Sequence, residues 1–160
     1  MLIGVLSDTH GSIAVTQAAL AVFEQRHVEK LIHCGDLDTV EILSLFSGWT
    51  THLVFGNMDV DHDAIRHAAD MIGAQCHDDF GAVQWGGREI AFLHGHQRRV
   101  LRQTIASGRW DLVLHGHSHE PQVRRVGSTL VVNPGALYRA SMHTVALIDL
   151  SRLDVEHVTI

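Results

Sequence analysis

Between Val113 and Glu120 the chain reads VLHGHSHE, which sets His115, His117 and His119 at alternate positions. Alternate residues of an extended segment point to one side, so these imidazoles could converge on a metal ion. The spacing leaves open which of them do. Other short polar clusters contain the same kinds of donor: Asp8-Thr9-His10-Gly11, Gly35-Asp36, Gly56-Asn57 and His94-Gly95-His96. Asp, His and Asn offer oxygen and nitrogen ligands. No thiolate stands among them, which disfavours iron–sulfur clusters and structural zinc. A glycine beside each donor would let backbone and metal approach closely.

Each cluster follows a short apolar run. Leu2 to Leu6, Lys30 to Cys34, Thr51 to Phe55, Glu89 to Leu93 and Asp111 to His115 read as buried strands. Ligand sites of α/β sheets lie beyond the carboxyl ends of strands, and here five strand ends carry the polar residues. Between them, Ser12 to Arg26, Thr39 to Phe46, Asp61 to Ile72 and Gln97 to Ser107 read as helices, with Ser12 as an N-cap. Gly86-Gly87 and Gly127-Ser128 mark two hairpins, Ala82–Trp85 with Glu89–Leu93 and Val123–Val126 with Thr129–Val132. Thr144 to Leu150 and Val155 to Ile160 are the last strands. The first half alternates strand and helix and the second is mainly strands, so an α/β protein with helices covering sheet is expected.

The chain has 160 residues, enough for one domain spanning 1–160 with a core of its own. Its net charge of −6 argues against a nucleic-acid polymer as partner. No apolar run reaches the roughly 20 residues that cross a bilayer, and the N-terminus lacks a signal peptide's basic start and cleavage site. Two distant cysteines, Cys34 and Cys76, read as reduced thiols of a cytoplasmic protein, Cys34 being buried. Fourteen histidines are the compositional anomaly.

Taken in order, D-x-H (Asp8, His10), G-D (Gly35, Asp36), G-N (Gly56, Asn57), His94 and G-H-x-H (Gly116 to His119) resemble the calcineurin-like metallophosphoesterases. The spellings SDTHG, HCGD, GNMD and NPG are similar to those of the small bacterial and archaeal phosphodiesterase branch. The resemblance runs from Leu2 to about Arg139. It implies a four-layer αββα sandwich of two mixed sheets flanked by helices. It implies two divalent ions, Mn by family habit, with Fe, Ni, Co or Zn also suited to the donors. Asp8, His10, Asp36 and His119 would hold the first ion. Asp36, Asn57, His94 and His117 would hold the second, with Asp36 bridging. A metal-bridging hydroxide would then attack phosphorus in a small phosphate ester.

Two departures matter. Many members carry a histidine directly after the Asn, where this chain has Met58, so the leaving-group acid is unassigned; His96, two residues beyond a ligand, is the side-chain candidate. The NPG motif is followed by Ala136 where a serine is usual, and Arg139 stands as a candidate phosphate contact beside Asn57. His115 is left as a strand-end residue that binds neither ion, and Asp59 as one that orients a neighbour. The expected activity is that of a phosphodiesterase. The alternatives are a phosphomonoesterase and a non-catalytic protein-binding scaffold of the same fold, like the retromer-type subunit. A homo-oligomer is left open.

Overall fold

The computed structural model describes residues 1–160. Eleven strands form two sheets. The first contains β1 (Leu2–Leu6), β2 (Lys30–His33), β3 (Thr50–Leu53), β4 (Gln75–Cys76), β10 (Thr144–Asp149) and β11 (Asp154–Thr159), in the order β11-β10-β1-β2-β3-β4. The second contains β5 (Phe80–Trp85), β6 (Arg88–Leu93), β7 (Leu112–Leu114), β8 (Gln122–Val126) and β9 (Thr129–Asn133), in the order β5-β6-β7-β9-β8. Both sheets are mixed. Strands β1 to β4 run parallel, as do β6, β7 and β9, while β10, β11, β5 and β8 pair antiparallel at the flanks.

Side-chain alternation builds the layers. Ile3 and Val5 of β1, Ile32 of β2, Ile90 and Phe92 of β6, Leu112 and Leu114 of β7 and Leu130 and Val132 of β9 pack into one cluster between the sheets. The opposite faces serve two outer clusters. Leu6, Leu31 and Leu53 meet α1 (Ile13–Gln25), a 3₁₀ helix (Val40–Phe46) and α2 (His62–Met71). Ala91, Val113 and Val131 meet Ile105 of α3 (Arg98–Ala106) and Trp110. Three apolar interfaces therefore separate four layers, the αββα sandwich implied by the motifs. Buried on both faces, the parallel strands read as continuous apolar runs rather than as alternating ones.

α1 buries Thr16, Ala19, Leu20 and Phe23, the 3–4 spacing of a single helix face. Phe23 approaches β1 so closely that a Cβ on Gly4 would lie 2.9 Å from its ring. Ser12 occupies the N-cap position, but its side chain makes no capping bond. Asp61, by contrast, caps α2 by accepting from Ala64 N–H at 3.0 Å. The segment Thr39 to Phe46, expected as a short helix, is a 3₁₀ helix over Val40–Phe46 in which Ser44 Oγ donates to the Glu41 carbonyl at 2.7 Å. Such local side-chain bonds compete with α-helical pairing. β4 is two residues long, too short to show a periodicity. Gly86 and Gly87 both hold positive φ, +55° and +75°, which a tight hairpin turn demands.

Register sets the site. Leu6, His33 and Leu53 lie abreast at the carboxyl ends of β1, β2 and β3. In the second sheet Phe92 lies beside Leu114. All five polar clusters thus leave the sheets at one end of the sandwich.

Candidate metal centre

The carboxylates of Asp8 and Asp36 sit at the middle, 0 and 2 % exposed. Around them stand three imidazole Nε2 atoms, that of His10 from the Asp8 loop and those of His94 and His119 from two other segments. His119 Nε2 is 3.2 Å from Asp8 Oδ1, and the Nε2 atoms of His10 and His94 are each 4.0 Å from it. Asp36 Oδ2 is 3.3 Å from His94 Nε2 and 3.6 Å from His10 Nε2. Donor atoms of Asp8, His10 and His119 lie within 4.8 Å of one another, as do those of Asp8, Asp36 and His94. Asp36 Oδ2 lies between a histidine of each expected ligand set, the place a bridging carboxylate would take.

These donors fit a cation. Asp8 Oδ1, His10 Nε2 and His94 Nε2 are buried and have no hydrogen-bond partner. Native interiors seldom leave such atoms unsatisfied, and a buried carboxylate needs a compensating charge. The other atom of each ring is occupied: His94 Nδ1 bonds the Cys34 carbonyl at 2.8 Å, and His10 Nδ1 bonds Asp38 Oδ2 at 2.9 Å. With Nδ1 carrying the proton, Nε2 presents a lone pair inward, the arrangement that orients metal-binding histidines. Burial pushes Asp36 upward, but His94, the Met58 N–H and His10 outweigh it and hold the carboxyl below its usual value. Burial lowers His94, and the two carboxylates more than offset it. His117 is lowered, chiefly by burial and then by His94, which favours its neutral, ligating form.

The backbone around these donors is strained in a consistent way. Asp8, His10, Asp36, Asp38, His117, His119 and Arg139 all hold positive φ, between +42° and +69°. Residues with a Cβ rarely visit this region, and clustering of such conformations is typical of functional sites. Several bonds hold the loops there. Asp59, 2 % exposed, accepts four N–H groups: Leu37 and Asp38 on Oδ1, Asp36 and Gly56 on Oδ2, at 2.7–2.9 Å. Asn133 Nδ2 donates to the Gly116 carbonyl at 3.0 Å and to Ser118 Oγ at 3.0 Å, tying β9 to the His117 loop. Asp8 Oδ2 accepts from His117 N–H, and Asp36 Oδ1 from Met58 N–H.

The glycines differ in purpose from the close metal approach expected of them. A Cβ on Gly116 would lie 1.9 Å from Ser7 Oγ and 2.7 Å from Asp8 Oδ2. One on Gly56 would lie 2.0 Å from Asp36 Oδ1. Each glycine makes room for the carboxylate of a neighbouring loop.

Residues 1–153 match the model of the calcineurin-like phosphoesterase superfamily domain. The chain belongs to that superfamily. It is 29% identical to a phosphodiesterase of Methanocaldococcus jannaschii over 100% of this chain and 99% of that protein. It is 30% identical to a probable metallophosphoesterase of Methanothermobacter thermautotrophicus, over 85% of this chain and 77% of that one. Among solved structures, an archaeal phosphodiesterase superposes with a TM-score of 0.94 at 29% identity, covering both chains completely.

Beside the donors this superfamily member has a cavity of about 320 Å³. His10, Asp36, Asn57, Met58, His117 and His119 line it, together with Asp38, Tyr138 and Arg139. Asn57, Met58 and His117 are exposed to it, so the structure brings all seven expected ligand positions to one place. His96 stands behind the ligand positions, its ring centroid 5.5 Å from that of His94 and 6.2 Å from that of His117, and does not line this cavity. It lines a pocket of about 40 Å³ with Asp79, Gln97 and Val100, and its Nδ1 is buried without a partner. His115 is buried, its Nδ1 3.2 Å from the Gly116 carbonyl, apart from the donor clusters. His33 Nδ1 accepts from Gly35 N–H and its Nε2 meets Thr9 Oγ1; burial, with His94, lowers it to about 3. Two residues of the site were not singled out from sequence. Asp38 offered a signal only as a second acid beside Asp36, and Tyr138 only as the chain's single tyrosine.

Proposed function

We propose that this superfamily member is a divalent-metal-dependent phosphodiesterase acting on small phosphate esters. In this reading Asp8, His10, Asp36 and His119 hold one ion and Asp36, Asn57, His94 and His117 a second. Mn²⁺ is the preferred metal. The enzyme acts as a single domain, in the cytoplasm. The observation that carries the reading is the convergence of two buried carboxylates with three Nε2 atoms, most of them lacking any protein partner. When bound, the ions lower the pKa of a water that attacks phosphorus and stabilise charge on the phosphoryl oxygens.

The chain's own part is positional. Cys34 and Asp38 fix the rings of His94 and His10, and the Met58 and His117 N–H groups fix the carboxylates of Asp36 and Asp8. Asn57 and Arg139 line the cavity where a phosphate would sit. Arg139 forms no ion pair within the chain, so its charge is available to an anion. Asp38 lines the same cavity, and its carboxylate weighs against the nearly doubled charge of a monoester at neutral pH. That favours a diester, as does the named activity of the Methanocaldococcus relative. The non-catalytic scaffold reading finds no support in a site whose seven ligand positions are all occupied by ligand residues.

The test is hydrolysis of bis(p-nitrophenyl) phosphate by protein loaded with Mn²⁺. Turnover is expected, with loss of activity in Asp36→Asn and a stoichiometry of two ions by calorimetric titration. Folded protein inactive with Mn²⁺, Ni²⁺, Co²⁺ and Fe²⁺ would overturn the reading.

A further inference from the structure

The cavity beside the donors has two uncharged walls besides Asn57, Met58 from the loop after β3 and Tyr138 from the loop after β9. Met58 is 47 % exposed and Tyr138 37 %. Tyr138 is not a loose surface ring. The preceding residue, Leu137, is fully buried, and its N–H donates to the Asp8 carbonyl at 3.2 Å. The following residue, Arg139, accepts from His119 Nδ1 through its carbonyl at 3.4 Å. Both neighbours are therefore tied to residues of the donor cluster, so the ring's place relative to the ions is set by the same bonds that set the ligands. The ring centroid lies 5.5 Å from that of His10, and the Arg139 guanidinium stands 5.1 Å from it.

We propose that Tyr138, together with Met58, determines specificity at this site by receiving a flat aromatic group attached to the phosphate, so that aryl or nucleoside esters are preferred over small aliphatic ones. A partly exposed aromatic ring and a polarizable thioether offer what a planar group needs for stacking. A rigid ring contributes this contact at little entropic cost, because it is already ordered. Met58 is the residue directly after Asn57, and its side chain lines the cavity. Its thioether has no proton to give, which suits a leaving group such as a phenol that departs without much protonic help. The inference rests on the phosphodiesterase reading above.

The experiment uses Mn²⁺-loaded protein and compares the dissociation constants of phenylphosphonate and methylphosphonate by calorimetry. Phenylphosphonate is expected to bind about tenfold tighter, in line with aromatic stacking elsewhere. Tyr138→Ala should erase that ratio and Tyr138→Phe should keep it. In turnover, kcat/KM for bis(p-nitrophenyl) phosphate, which carries an aryl group on both sides of phosphorus, should fall in Tyr138→Ala through KM and be kept in Tyr138→Phe. Thymidine 5′-phosphate binding more tightly than phenylphosphonate would mark a nucleobase as the occupant; weaker binding would mark a simple aryl group. Equal binding of the two phosphonates, or a ratio unchanged in Tyr138→Ala, overturns the assignment while leaving the phosphodiesterase reading standing. Failure of the parent protein to hydrolyse any diester would instead strike that reading.

Discussion

Asp38 Oδ2 lies 2.9 Å from Nδ1 of His10, while the other ring nitrogen of His10 faces the carboxylates of Asp8 and Asp36. A carboxylate behind a ligating histidine fixes the tautomer and makes the ring a better donor; losing such a partner commonly costs 10–100-fold in metal affinity. Asp38→Asn keeps a residue tolerant of the +66° φ found there and removes the charge. We expect Mn²⁺ affinity, measured by calorimetric titration of the purified protein, to fall about tenfold with the fold intact. Affinity equal to that of the parent would show that Asp38 does not act through His10.

Asp59 makes a sharper demand, because its two oxygens serve four N–H groups from the Asp36 and Asn57 loops. Replacing it with Asn turns one acceptor into a donor that faces two of those groups. An unsatisfied buried polar group costs about 1–3 kcal/mol. We therefore expect Asp59→Asn to lower unfolding stability by about 2–4 kcal/mol in urea titrations and to weaken metal binding as Asp36 shifts. A stability loss under about 0.5 kcal/mol would mean that the loops are held by other contacts.

Glycine substitutions separate steric from conformational need. Gly56 and Gly116 do not hold positive φ, yet an added Cβ at either would come within 2.0 Å of a neighbouring oxygen. Gly48 has φ +88° but open space around its Cβ position. We expect Gly56→Ala and Gly116→Ala to lose metal binding because each displaces a carboxylate. Gly48→Ala should cost about 1 kcal/mol of stability through backbone strain alone and leave metal affinity as it was. Parent-like metal affinity in both site variants would contradict the packing role given to these glycines.

Much of this site was legible in sequence, for a physical reason. A strand buried on both faces must stop where the chain turns polar, so each apolar run pointed to its own terminal Asp, Asn or His. Which cluster member faces the centre was not legible from spacing. His115, His117 and His119 share a parity, but Ser118 is followed by a positive-φ residue and the chain no longer extends as a strand beyond Leu114, so alternation fails where it was needed. The motif resemblance, not the periodicity, separated His115 from its neighbours. The second sheet was hidden because parallel pairing of β6, β7 and β9 joins segments far apart in sequence, and periodicity tells that a face is buried, not against what. Asp38 and Tyr138 escaped for the same reason: their roles come from loops returning from other strands.

His52 and His77 supply a last test, remote from the donor cluster. Read from sequence only as packing or surface residues, they join through Nδ1 of His52 and Nε2 of His77 at 2.8 Å, with rings stacked 5.0 Å apart. Trp85 packs edge-on against His52, which is 7 % exposed, and Lys30 lies over the Trp85 ring. Burial, then His77 and Lys30, lower His52 from 6.5 to about 4, and burial lowers His77 as well. A histidine held neutral in the fold binds fewer protons than in the unfolded chain between those two pH values. Its contribution is therefore complete above pH 6.5, shrinks as pH falls, and is gone near pH 4. One unit of such a shift corresponds to about 1.4 kcal/mol, so going from pH 7 to pH 5 should remove about 2 kcal/mol through His52. His52→Phe deletes the titrating group while keeping an aromatic ring against Trp85. Urea unfolding of metal-free protein at the two pH values should show a smaller acid loss in the variant than in the parent. Equal losses would mean that both protonation states of His52 are tolerated equally in the fold.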